Sequence, residues 1–218
     1  MSVLFQARAS LLAGIATTIE LFVASALIAV AMSVISGTLR LSSSRVVRLI
    51  TTVYVEVFRG TSVVVQMFWL YFALPAFGIS LKAFPAAVIA LGLCFGAYGS
   101  EVVRGALASI PKQQYEAAVA LNMSAADRMR YIIFPQALVA MLPGYTNILI
   151  LLLKSTSAAS LITLPELTFR AESLNQVTFD TIPIFSVILA VYFVLALTVS
   201  SLMRKLEHMA GFWRAKIA

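Results

Sequence analysis

Charged residues are scarce, and the side chains used for metal binding or disulfide formation are nearly missing. Asp, Glu, Lys and Arg together make up 11% of the 218 residues, and there is one cysteine and one histidine. A single cysteine, Cys94, excludes an intrachain disulfide, and no zinc-binding spacing exists. No Gly-rich phosphate loop of the GxxxxGK[ST] type occurs, so the sequence does not predict ATP hydrolysis by this chain.

Apolar residues make up most of the sequence. They account for 61% of the chain, and the mean hydropathy is +0.97. Soluble domains are closer to 45–50% apolar, because they need a polar surface. A fold whose outer side chains meet lipid tails has no such need. The sequence therefore predicts an all-α membrane protein, and the length favours a single domain over residues 1–218.

Five apolar stretches are long enough, or nearly so, for the roughly 20 residues of a membrane-spanning helix. They cover residues 11–36, 62–80, 84–103, 137–153 and 182–203. The first follows Arg8 and exceeds the apolar core of a signal peptide, so we expect a retained helix. The third contains Gly92 and Gly96, a spacing that lets two helices pack closely.

Basic residues are distributed unevenly between the connecting segments. Residues 37–61, 104–136 and the tail from Arg204 hold twelve Lys and Arg, whereas the N-terminus, 81–83 and 154–181 hold four. Positive residues concentrate on the cytoplasmic side of membrane proteins. We therefore expect the N-terminus outside and the C-terminus in the cytoplasm. The same bias explains the net charge of +7 without nucleic acid as a partner.

The longest inward segment, residues 105–136, has helical signals despite its polarity. Pro111 suits the first turn of a helix over 112–121, and Asn122 favours the left-handed conformation that ends one. Ser124 and Asp127 form a capping box that predicts a second helix, which Pro135 would close or kink. A connection with this much order usually contacts another molecule.

Several charges occur where membrane insertion is costly, about 2.5–3.5 kcal/mol at the bilayer centre. Lys154 ends an apolar helix and precedes three hydroxyls, Ser155, Thr156 and Ser157. It either extends to the membrane surface or lines a solute path. Glu20 could pair with Lys154 or face a water-filled path.

Two acid–base pairs with i,i+3 spacing lie near the inner surface. Glu101 with Arg104, and Glu56 with Arg59, predict structural ion pairs on one helix face. Residues 45–59 also have the pattern of an amphipathic helix that lies at the membrane interface.

The inward segment resembles the EAA loop of ABC importer permeases. It has Glu116-Ala117-Ala118, then Asn122, and the sequence IIFP ending at Pro135, at the family's spacing. Asn122 replaces the usual glycine, and Phe134 replaces the usual leucine. Three further stretches are similar to the polar amino-acid uptake permeases: YVEVFRGT at 54–61, GAYGSEVVRG at 96–105, and LKSTS at 153–157 with LPELT at 164–168. The usual proline after Thr61 is Ser62 here.

The resemblance implies a type I ABC importer permease fold and a multi-pass position in the bacterial cell inner membrane. It implies a pore made with a second permease, as a homodimer or a sibling heterodimer. A cytosolic ABC ATPase dimer would carry ATP and Mg, with no cofactor in this chain, and a periplasmic or lipid-anchored binding protein would deliver the solute. The residues that would couple to the ATPase are Tyr115, Glu116, Ala117, Ala118, Asn122 and Pro135.

A second hypothesis needs no ATPase. A small secondary transporter or channel could use Glu20, Glu101 and Lys154 as an ion path. It would depend on a proton or sodium gradient, whereas an importer permease would depend on ATP.

Overall fold

A computed structural model describes the backbone of residues 8–217 and the side chains of residues 8–210. Over that part of the chain the structure is helical and contains no strand. The helices are α1 (Arg8–Leu39), α2 (Arg45–Gly60), α3 (Val63–Phe68), α4 (Ala83–Ala108), α5 (Lys112–Ala120), α6 (Ala125–Asp127), α7 (Phe134–Ser155), α8 (Leu167–Thr178) and α9 (Thr181–Ile217).

Four helical runs within the described residues are long and apolar enough to cross a membrane. They are Arg8–Leu39, Ala83–Ala108, Ala125–Ile162 and Thr181–Ala210. The helix pair α2–α3 makes a fifth candidate if the two count as one broken span. The expected all-α membrane fold with about five spans is confirmed. Side chains such as Leu27 and Val194 stay exposed on the outer faces, as lipid contact requires.

The second span differs from the prediction for residues 62–80. Its α-helix lasts only over Val63–Phe68 and continues as a π-helical turn over Trp69–Ala73 and a 3₁₀ turn over Leu74–Phe77. Gly78 then ends it in the left-handed conformation, with φ 83°. Fifteen α-helical residues would reach about 22 Å, less than the roughly 30 Å hydrocarbon core. The amphipathic α2 precedes it at a bend of 102°.

The structure of the inward segment confirms the predicted helix, its end at Asn122 and the cap at Ser124, and it corrects the prediction for Pro135. Helix α5 covers Lys112–Ala120, and Asn122 follows with φ 54°. The Ser124 hydroxyl accepts the backbone N–H of Asp127, as in a capping box. Pro135, however, does not close a separate helix. A π-helical turn over Arg128–Ile133 leads directly into α7, so the helical run continues through Pro135, and the departure from α-helical hydrogen bonding lies in the turn just before this proline, which has no N–H to donate.

Helices α1 and α4 pack closely, and glycines make this contact possible. A Cβ on Gly92 would lie 2.6 Å from Ile28 Cγ2, and one on Gly96 would lie 2.7 Å from Met32 Cβ. The packing role expected for these two glycines is therefore confirmed. The largest core cluster lies along this contact, where Leu21, Leu91 and Leu152 are fully buried. A smaller cluster holds α8 against α9.

Candidate functional site

Helix α5 projects from the body of the protein with most of its side chains exposed. Glu116 and Ala117 are exposed, and the apolar residues beyond them are as well: Val119 is 55% and Leu121 is 74% exposed. Ala118 is instead fully buried against the rest of the chain. The two alanines of the EAA sequence thus have different surroundings, and Ala117 is the one available to a partner.

Backbone hydrogen bonds fix the turn that follows α5. The backbone N–H of Asn122 donates to Val119 O at 2.9 Å, and that of Met123 donates to Ala118 O at 3.1 Å. Tyr115 is half-buried, and its hydroxyl donates to Leu107 O at 3.5 Å. Tyr115 thus attaches α5 to the end of α4, and the Gln136 side-chain amide, in α7, donates to Gln114 Oε1 of α5 at 3.3 Å.

A cavity of about 660 Å³ lies between α7 and α9, beside α8. Its wall is mostly apolar, with five polar side chains: Lys154, Ser157, Thr168, Tyr192 and Ser200. Lys154 is exposed to this space and supplies its positive charge. Such a combination of apolar wall and few polar groups is typical of small-molecule sites.

The other residues predicted for the solute path do not all reach this cavity. Thr156 is fully buried, and its hydroxyl donates to Leu153 O at 2.7 Å. Ser155 is half-buried, and neither it nor Glu20 lines the cavity. Within residues 8–210, Glu20 is exposed and forms no ion pair with Lys154.

A buried carboxylate, Glu166, is hydrogen-bonded to Tyr192, one of the residues that line the cavity. Glu166 is fully buried at the start of α8, where its Oε1 accepts the Phe169 N–H at 2.9 Å. Its Oε2 accepts the Tyr192 hydroxyl, also at 2.9 Å. Because Tyr192 has one proton to give, the Thr168 hydroxyl at 3.2 Å must donate to it. Burial raises the pKa of Glu166, and the hydrogen bonds it accepts lower that pKa in part.

Three arginines surround one carboxylate, Glu101, near the C-terminal end of α4. Arg40 Nη1 is 2.5 Å and Arg59 Nη1 is 3.2 Å from Glu101 Oε1, and Arg104 Nη2 is 2.8 Å from Oε2. The predicted pair of Glu101 with Arg104 is confirmed. The predicted pair of Glu56 with Arg59 is wrong, since Arg59 reaches the less exposed Glu101, where solvent screens the attraction less.

Sequence reasoning missed the contributions of α8 and α9 to the cavity. Glu166 and Thr168 lie in the stretch LPELT, which the sequence marks only through its resemblance to the polar amino-acid uptake permeases. Tyr192 is a polar aromatic residue inside an otherwise apolar span, and Ser200 follows eight residues later. A buried tyrosine hydroxyl needs a partner, which is the one signal that could have connected Tyr192 to a polar site.

Comparison with known proteins places this chain in a family of membrane transport components. The family described as "Binding-protein-dependent transport system inner membrane component" matches residues 11–209.

Individual relatives agree with that match. The "Probable amino-acid ABC transporter permease protein y4tF" of Sinorhizobium fredii is 44% identical over 181 residues, which are 80% of this chain and 76% of that protein. The L-cystine transport system permease protein TcyB of Bacillus subtilis is 34% identical, over 93% of this chain and 87% of its own length. A crystal structure of an amino acid ABC transporter with histidines superposes with a TM-score of 0.88 and 33% identity, covering 94% of this chain and 96% of that one.

Proposed function

Because this chain belongs to the family of inner membrane components of binding-protein-dependent transport systems, we propose that it forms one half of the pore of an ATP-driven importer for a polar amino acid or a related zwitterion. Its relatives are permeases of amino-acid ABC transporters, and one carries the name of an L-cystine system. The family favours this function over a gradient-driven transporter or channel. Glu101, which the second hypothesis required as an ion ligand, is occupied by three arginines.

The observation that carries the proposal is the exposed helix α5 with a fixed turn behind it. Exposed Val119 and Leu121 add apolar surface beside Glu116 and Ala117, which suits contact with another protein. We assign this surface to the ATPase dimer, which would bind ATP and Mg and whose closure would rock the spans between inward-open and outward-open states. A second permease, identical or a sibling, completes the pore, and a solute-binding protein delivers the substrate.

The coupling role is tested by reversing the charge of Glu116. In membrane vesicles that contain the complete transporter, Glu116→Lys should abolish solute-stimulated ATP hydrolysis and uptake while the permease remains in the membrane. Asp180→Lys is the matched control, because it makes the same charge change at an exposed residue between α8 and α9. Normal uptake by Glu116→Lys, or equal loss in both variants, would refute coupling through α5.

The cavity beside Lys154 is the proposed solute site. The ammonium group can bind the carboxylate of a zwitterion, and the hydroxyls of Ser157 and Thr168 can orient the rest. Since a hydrogen bond to a charged group contributes about 1.5–3 kcal/mol, Lys154→Ala should raise the apparent KM for uptake roughly 10- to 100-fold. Lys82→Ala removes another exposed lysine and should leave KM unchanged. An unaltered KM in Lys154→Ala would exclude this site.

The proposed orientation places α5 in the cytoplasm and the end of α8 outside. Cys94 is buried, so an introduced cysteine can be labelled selectively. A membrane-impermeant thiol reagent should label Val177→Cys, at a site 80% exposed, from the outside of intact cells. It should label Leu121→Cys only after the membrane is opened. The reverse pattern would invert the topology.

A further inference from the structure

Helix α2 has three faces, and among the residues whose side chains are described, 8–210, only one face packs on other parts of the protein. Thr51 and Val55 are buried on that face, and the Tyr54 hydroxyl donates to Leu93 O at 2.7 Å. A second face consists of five apolar side chains at helical spacing, each more than half exposed: Val46 66%, Leu49 65%, Ile50 65%, Val53 53% and Val57 52%. Apolar surface of this extent needs a cover other than water.

The third face of α2 is basic. It carries Arg45, Arg48 and Arg59 against a single acid, Glu56, and all four are exposed. The basic character continues beyond the helix. Glu101 is shared by Arg59 and two further arginines, so that cluster keeps an excess of two positive charges.

We propose that this surface is a binding site for anionic phospholipid, with the acyl chains against the apolar face of α2 and the phosphate near the arginines of the basic face. The two faces are adjacent along one helix, as in helices that lie at a membrane interface. Guanidinium groups bind phosphate oxygens with two parallel hydrogen bonds, which an ammonium group cannot do. The site does not depend on the identity of the solute.

A second copy of the chain is the other candidate to cover the apolar face. Across a two-fold axis, the same patch of each copy would meet itself. That arrangement would bring two sets of arginines together without added acids, and the like charges would repel. Anionic headgroups instead provide the opposite charge. Each arginine near the membrane surface should raise the binding constant for an anionic lipid about five-fold.

Brominated lipids offer a direct test. Val53→Cys, in the middle of the apolar face, is labelled with bimane in the full chain within its membrane complex, since Cys94 is buried. The complex is then reconstituted in vesicles of dioleoyl phosphatidylcholine with increasing dibrominated phosphatidylglycerol, or with dibrominated phosphatidylcholine. We expect half-maximal quenching at a roughly ten-fold lower fraction of the brominated phosphatidylglycerol than of the brominated phosphatidylcholine.

Charge variants separate a site from general surface attraction. Arg45→Gln with Arg48→Gln should remove the preference for phosphatidylglycerol while quenching by phosphatidylcholine persists. Arg204→Gln with Lys205→Gln removes two exposed positive charges from α9 and should leave the preference intact. Arg48 also donates to Ser42 O at 2.8 Å, so Arg45→Gln alone is the second variant if the double variant fails to fold; it should reduce the preference several-fold.

Three results would overturn the proposal. Equal quenching by both brominated lipids would mean that the face has no preference for anionic headgroups. Equal loss of preference in the α2 and α9 variants would mean that the attraction is not local to α2. The absence of quenching by either lipid would mean that protein, such as the second permease, covers the face.

Discussion

The contact between α1 and α4 gives the sharpest stability prediction. Adding one methyl group to Gly96 places its Cβ 2.7 Å from Met32 Cβ and 3.3 Å from the carbonyl oxygen of Ala29, where ordinary contact begins at 3.4 Å. Met32 Cβ is attached to the backbone and cannot rotate away, so the helices must separate by several tenths of an ångström. Overpacking of this kind costs about 1–3 kcal/mol.

Gly105, in the same helix, is the matched control for Gly96→Ala. A Cβ there would meet nothing within 4 Å. Both substitutions gain about 1 kcal/mol of helix propensity, so their difference isolates the packing cost. In detergent, Gly96→Ala should therefore unfold several degrees below Gly105→Ala, as followed by fluorescence-detected gel filtration after heating. An equal or higher unfolding temperature for Gly96→Ala would refute the close contact.

Three further predictions concern polar groups. Glu101→Gln should lower the free energy of unfolding by about 1–3 kcal/mol because three guanidinium groups lose their carboxylate, whereas Glu56→Gln should change it by less than about 0.5 kcal/mol; equal effects in thermal unfolding would contradict the ion-pair assignment. Asn122→Val should reduce ATP-driven uptake, since left-handed backbone costs about 1–2 kcal/mol at a side-chain-bearing residue, whereas Asn122→Gly should preserve it; normal uptake by the valine variant would show that the turn is dispensable. Tyr192→Phe should lower the unfolding temperature, because the buried Glu166 loses a donor worth about 1–3 kcal/mol, and an unchanged temperature would exclude that bond.

Local sequence signals predicted much of the fold. Helix α5 and its end at Asn122 depend on residues within one or two turns, as does the cap at Ser124, and the structure contains all three. The spans follow from apolar length alone. The second span shows the limit, because its hydropathy did not reveal the π and 3₁₀ turns at Trp69–Phe77 or the bend before α3.

The candidate site was predicted only in part. Lys154 and Ser157 were identified from the polar residues that follow an apolar helix, and both line the cavity. Tyr192 and Thr168 come from different helices, and no local pattern links them to Lys154. Ala118 illustrates the same limit within a motif, since its burial depends on contact with the body of the chain.

The sequence by itself determined the class of protein, the spans, the turn behind α5 and the glycines available for close packing. These features depend on composition and on interactions between residues a few positions apart. The tertiary structure alone decided that Arg59 pairs with Glu101 across 42 positions and that Tyr192 donates to Glu166 across 26. Along its own helix Arg59 has one carboxylate within reach, Glu56, and only the packing of α2 on α4 brings the more sheltered Glu101 close to it.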